Sequence, residues 1–205
     1  MNTGFIYETK IMLVSSRSSY TDESAERLRE LILYISEQSV NDERYGKVKL
    51  NKVLLAADMY AYRQFGISIS HADYKALDYG SAPVGMKDIL DKMQNDEELA
   101  IQPTSYFGKP QERPINLRRA NLAKFSGKEI ALLDEVIKHF SDANAKQLSD
   151  WSHGIAWATA YKTGKNIPYA AFLFKQRQRV SERLVQKGFR LAKERGWSIY
   201  DETRA

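Results

Sequence analysis

The 205-residue sequence contains no cysteine, which excludes disulfides, thiolate metal sites and cysteine nucleophiles. Such a chain is suited to a reducing compartment. Histidine is scarce too: His71, His139 and His153 are far apart and share no metal-ligand spacing such as His-Glu-x-x-His. The sequence has no glycine-rich phosphate loop and no Gly-x-Ser-x-Gly elbow. Long apolar runs are also missing. The longest, Val53–Ala57 and Ile167–Phe174, fall far short of the ~20 residues that cross a bilayer. Ile11–Val14 is too short for the ~7–15-residue core of a signal peptide. The expectation is a soluble cytoplasmic protein with no membrane association, no metal and no cofactor.

What is present is an ordinary globular composition, 43% hydrophobic and 28% charged, enough for one domain with a substantial core. The net charge is +5, and its location matters more than its size. Residues 1–174 hold 22 Lys/Arg and 22 Asp/Glu, whereas residues 175–205 hold 9 against 4. Residues 21–43 are the acidic counterpart, with seven acids against Arg27 and Arg29. The basic tail is compatible with gripping phosphate or an acidic partner, with a solvated helix face, and with pairing to that acidic segment.

Periodicity predicts a mainly α fold. Thr21 is a candidate N-cap, and Ala25, Leu28, Leu31, Ile32 and Ile35 follow at helical spacing up to a break at Asn41–Gly46. A second helix, about Val48–Phe65, is apolar nearly all round and therefore central, with Gly66 as its stop. Ile67–Ile69 alternates like a short strand. Tyr79–Pro83 reads as a turn, with Pro83 opening a helix to about Met93. Three of the five prolines fall in residues 99–125, read as a hairpin turning at Gly108–Pro110. Ser126 and Glu129 form a capping box, after which Ile130, Leu133, Val136, Ile137 and Phe140 mark a helix. Another helix is predicted over Ala145–Tyr161, and a short apolar one over Tyr169–Phe174.

The last predicted helix, about Gln178–Glu194, places Val180, Leu184, Val185, Gly188, Phe189, Leu191 and Ala192 on one half. Arg183, Lys187, Arg190 and other polar residues take the opposite half. A glycine inside a helix costs about 1 kcal/mol against alanine, so a close approach by another element, from this chain or a partner, is its natural reason. Val180, Arg183, Leu184, Lys187, Gly188, Phe189 and Arg190 are therefore the candidate partner-binding residues. A DNA-binding alternative rests on Arg177, Arg179, Arg183, Lys187 and Arg190.

Catalytic constellations are weak. Ser149, Asp150, Ser152 and His153 are adjacent, but near neighbours on a helix diverge, and a triad needs convergence. The acid pairs Asp88/Asp91 and Asp134/Glu135 read as exposed helix faces. Asn51 and Asp58 share a face of the apolar second helix, where buried polar groups require partners. His153 and Trp157 are four apart on one predicted helix face, packed on the second helix or turned to a partner.

Lys49-Leu50-Asn51-Lys52-Val53-Leu54-Leu55-Ala56-Ala57-Asp58, followed by Gly66, Ile69 and Tyr79-Gly80-Ser81-Ala82-Pro83, resembles the Panacea antitoxin domain, also called SocA-like. Leu148-Ser149-Asp150-Trp151-Ser152-His153 with Trp157, then Ile167-Pro168-Tyr169, resembles it in the same order. The similarity spans about residues 25–174. Ser81 departs from a proline common in the family, and residues 1–20 and 175–205 lie outside it. The resemblance implies a compact helical domain over 21–174 with a small β-hairpin inserted. It also implies a non-enzymatic bacterial antitoxin, often prophage-borne, that binds a co-encoded toxin or hands it to a protease. It brings no catalytic residues and no cofactor. Lys49, Asn51, Asp58, Tyr79, Gly80, Pro83, His153 and Trp157 match its motifs and read as a fold signature.

Overall fold

The computed structural model describes residues 22–173, with Arg190 and Glu194 as two further helical positions. At its centre is α2 (Lys47–Phe65), whose Leu50, Val53, Leu54, Leu55, Ala56, Ala57 and Ala61 are all buried. Each buried leucine contributes about 2 kcal/mol on leaving water, so an all-round apolar helix is stable only when enclosed. α1 (Asp22–Gln38) covers one side with Leu28, Leu31, Ile32 and Ile35. α4 (Gly127–Phe140) covers another with Leu133, Val136 and Phe140. Gly66 ends α2 in the left-handed region (φ 77°), donating its N–H to Tyr62 O.

Between α2 and α4 the chain forms two antiparallel hairpins flanking α3 (Met86–Asn95): β1 (Tyr74–Leu77) with β2 (Gly80–Pro83), and β3 (Leu99–Tyr106) with β4 (Lys109–Asn116). α5 (Ala145–Ser152), α6 (Ile155–Thr163) and a 3-10 helix (Tyr169–Leu173) complete the described fold. The fold is thus mainly α, with six α-helices and two small two-stranded sheets among the described residues. No helix among them is long and apolar enough to cross a membrane.

Several local expectations change. Ile67–Ile69 is not a strand. Its backbone groups go to side chains instead: Ile69 O accepts from Arg27 Nε at 2.8 Å, and the next amide, Ser70, donates to Asp58 Oδ1 at 2.8 Å. Tyr79–Pro83 is the second half of a hairpin, and Pro83 closes β2 opposite Tyr74 rather than opening a helix. α3 starts three residues later, after Gly85 at φ 72°. Pro83 costs no ladder bond, because the Val84 N–H to Asp73 O bond (2.8 Å) puts the Tyr74/Pro83 pair between hydrogen-bonded pairs. By the same alternation the Ser81 amide faces away from β1, so the family's proline fits there too.

The 99–125 hairpin exists, but it turns at Phe107–Gly108, and Pro110 lies within β4. The predicted helix over Ala145–Tyr161 is two helices. His153 (φ −85°, ψ 53°) caps α5, and extended Gly154 starts α6. Both caps flanking this region are sequence-encoded: Ser126 with Glu129 starts α4, and Asn144 with Gln147 starts α5 as reciprocal boxes. β4 also sends Arg113 to the turn after α1, where it donates to Ser39 O (3.0 Å), Val40 O (2.7 Å) and Asp42 O (2.7 Å).

Candidate functional site

The motif residues fall into a buried set around α2 and a second set on the first hairpin, of which Tyr79 is exposed. In the buried set, Lys49 donates to Ser141 O (3.0 Å) and Ala143 O (2.9 Å) and pairs with Asp42 at 2.6 Å, tying α2 to the α4–α5 turn. Asp58, two residues past the middle of α2, accepts from the Ser70 amide (2.8 Å), the Ser70 hydroxyl and the Tyr74 hydroxyl (2.8 Å). Tyr169 approaches the same carboxylate at 3.5 Å and donates to Ala72 O at 2.5 Å. Burial, then the charge of Asp58, pushes the Tyr74 and Tyr169 hydroxyls up, so both stay protonated donors at neutral pH. Asp58 is therefore an internal clamp, as the rule for buried polar groups requires.

Lys52 was not singled out from the sequence, because an unpaired lysine on a helix reads as a surface residue. It is 2% exposed, and its ammonium donates to Ser81 O at 3.0 Å with no carboxylate in ion-pair range among the described residues. Burial pushes it down to about 8. The signal for it was angular: on the helical wheel Lys52 sits between Met59 and Ala56, inside the apolar face.

Gly80 makes room for this arrangement. It has φ 93°, and a Cβ there would overlap Ser152 Oγ and lie 2.7 Å from Lys52 Nζ. Gly80→Ala is expected to cost about 2–3 kcal/mol, the left-handed backbone and the displaced side chains contributing together, read as a lower urea midpoint. Three buried atoms close to these motif segments, Asn51 Oδ1, Ser81 Oγ and His153 Nε2, make no hydrogen bond among the described residues. Of the two polar residues on that face of α2, Asp58 thus finds its partners, a backbone amide among them, and Asn51 Oδ1 does not.

The set on the first hairpin is aromatic, with His153 and Trp157 half-buried and Tyr161 exposed. His153, Trp157 and Tyr161 stack in a ladder with centroids 4.1 and 4.8 Å apart. Trp157 Nε1 donates to Leu77 O (3.0 Å) and Tyr161 to Asp78 (2.6 Å), so the ladder lies on the first hairpin rather than on α2. Ala160 of α6 shares a small buried cluster with Leu55 of α2, Tyr74 and Ile167, and Ala156 packs against it. Tyr79, at the hairpin tip, is 75% exposed, and its carbonyl accepts from Ser149 Oγ. The serine hydroxyls beside His153 are likewise bonded to carbonyls, Ser152 Oγ to Ser149 O, while Asp150 pairs with Lys146. These groups do not converge as a triad. No cluster of metal-ligating side chains occurs among the described residues.

Two acids of α1, Glu26 and Glu30, have partners close at hand. Arg118 bridges Glu30 and Glu98 at 2.7 Å each, Arg29 pairs with Glu98 and Asp96, and Glu26 pairs with Lys124. Burial raises the Glu30 carboxyl, but Arg118 and the Asn121 amide outweigh it and hold the group below its usual range. Of the candidate partner-binding residues, Val180, Arg183, Leu184, Lys187, Gly188 and Phe189 lie outside the described residues, and Arg190 is described only as helical and exposed.

The described residues thus define a helical scaffold whose polar groups are mostly consumed in holding its own elements together. The family model of the SocA-like antitoxins, the Panacea domain, matches residues 50–158, from α2 into α6 and more than half of the chain. The chain belongs to that family. No curated protein and no solved structure matches it. α1 lies outside the match, although Leu28, Leu31 and Ile32 supply one wall of the core.

Proposed function

We propose that this chain is an antitoxin that neutralises a co-encoded protein toxin by direct binding, without catalysis. The observation that carries this reading is membership of the SocA-like antitoxin family over residues 50–158. The internal use of the clustered serines, acids and lysines supports it, since a binding protein needs no converging reactive groups. The amphipathic segment 178–194 is proposed as part of the toxin-binding surface. The apolar arc that its spacing predicts through Leu184, Gly188 and Phe189 supports this, together with the charge excess of residues 175–205.

The test is co-expression with the product of the adjacent reading frame, scoring growth and co-purification. Rescue with a stable complex is the expected result. Rescue without a complex would favour delivery of the toxin to a protease or control of its operon, and a harmless neighbour would remove the reading's support. The double substitution Leu184→Asp, Phe189→Asp is expected to abolish neutralisation while circular dichroism shows the helical core intact. Full neutralisation by that variant would exclude the 178–194 face.

A further inference from the structure

The β3–β4 hairpin carries features that its own folding does not require. Its loop has two residues, Phe107 (φ 47°) and Gly108 (φ 72°), both left-handed. That is a type I′ turn, whose first position favours Asn, Asp or Gly, and an aromatic at positive φ is uncommon. Phe107 is also 87% exposed, so it recovers little apolar burial, and its ring contact is Tyr106, edge-on at 4.7 Å. Backbone strain and an exposed phenylalanine thus coincide at one projecting position.

The strands leading to this tip are closed to strand addition. A two-residue loop makes Tyr106/Lys109 a hydrogen-bonded pair, and the Leu117 N–H to Glu98 O bond (2.8 Å) keeps the same phase at the far end. Pro103, Pro110 and Pro114 all fall on the intervening pairs. Their missing N–H groups therefore face the outer edges of both strands, where an added strand would need donors. Beside the tip, Lys109 is exposed with no ion pair among the described residues, whereas Arg44, whose Nε donates to Tyr106 Oη at 3.1 Å, also pairs with Asp142 at 3.8 Å.

We propose that the hairpin tip, Phe107 backed by Tyr106, is an anchor that inserts into an apolar, acid-rimmed pocket on the toxin. The proposal rests on the antitoxin reading and names a contact within it. Aromatic side chains seated in a partner's pocket dominate binding energy, and the unpaired Lys109 two residues from Phe107 favours an acidic group on the rim.

The test uses the full chain co-expressed with the product of the adjacent reading frame. A benzophenone photo-crosslinker at position 107 is expected to capture that product, and the same probe at exposed Leu117 is not. Phe107→Asn suits the turn, so its melting temperature is expected to stay within about 3 °C of wild type while affinity falls roughly thirtyfold. Phe107→Trp is expected to retain affinity within about threefold. Phe107→Asn binding within about twofold of wild type would overturn the anchor alone, as would crosslinking only to a second copy of this chain. If Phe107→Asn fails to fold, the crosslinking comparison decides. Wild-type chain that neither rescues growth nor binds would overturn the antitoxin reading and the anchor with it.

Discussion

Asp58→Ala is expected to lower the unfolding free energy by about 4 kcal/mol, measured by urea titration. Asp58 is 1% exposed and joins three segments distant in sequence: α2, the Ser70–Tyr74 stretch and the 3-10 helix bearing Tyr169. Truncation leaves the Ser70 amide and the Tyr74 hydroxyl buried without their acceptor. Each lost partner costs about 1–3 kcal/mol, and the vacated volume adds a further penalty. Asp58→Asn keeps the shape and one acceptor, so a loss of about 1–2 kcal/mol is expected. The two variants also separate charge from geometry. Burial pushes the Asp58 carboxyl above its ordinary 3.8, despite opposing hydrogen bonds from Ser70 and Tyr74. The native state therefore holds this proton to higher pH than the unfolded chain does. That contribution is complete below pH 3.8 and is lost as pH rises through the native value. The wild-type advantage over Asp58→Asn should accordingly shrink from acid to neutral pH. An advantage that grows over that range would show that the hydrogen bonds outweigh burial.

Lys52→Met is expected to act in the opposite sense and stabilise the protein by about 2 kcal/mol at pH 7. Lys52 is held near 8 in the native state against 10.5 in the unfolded chain, a gap worth about 3 kcal/mol. Methionine of similar length removes that penalty and forfeits one hydrogen bond to Ser81 O, worth about 1 kcal/mol. Between pH 8 and 10.5 the unfolded state binds more protons than the native one, so Lys52 makes stability rise with pH. Above about pH 9.5 the unfolded tyrosines begin to ionise while the buried hydroxyls of Tyr45, Tyr74 and Tyr169 resist, which pulls the other way. The informative comparison is therefore urea unfolding of wild type and Lys52→Met between pH 7 and about 9.5. The wild type should gain on the variant across that range, and parallel curves would mean that the lysine is solvated or paired.

The helices of the core were legible because their signals are local. Leu28, Leu31, Ile32 and Ile35 mark the inner face of α1, the all-round apolarity of α2 put it at the centre, and Ser126 with Glu129 marked the start of α4. The hairpins were only half legible. Pro83 is an equally good first residue of a helix and last residue of a strand, and Gly85 decided between them by taking the left-handed conformation. At the second hairpin, Gly108 and Pro110 pointed to the right loop, yet the turn falls on Phe107, which sequence preference disfavours at that position. The break at His153–Gly154 was hidden because the periodicity continues across it, and the two aromatic rings still stack.

By itself the sequence determined the helical class of the domain, the central place of α2, the stop of α2 at Gly66, the capping box of α4 and the family to which the chain belongs. All of these rest on spacing within a turn or two, or on residue order. Only the tertiary structure decided which polar residues are enclosed and by what. Lys49 reached a carboxylate and two carbonyls, Asp58 reached two tyrosines and a serine, and Lys52 met one carbonyl and, among the described residues, no opposite charge. Those outcomes depend on segments up to 111 residues apart packing against one another, and on a glycine at position 80 that lets a strand close over a lysine. A charged side chain carries no local mark of such enclosure, because its burial is a property of whatever folds over it.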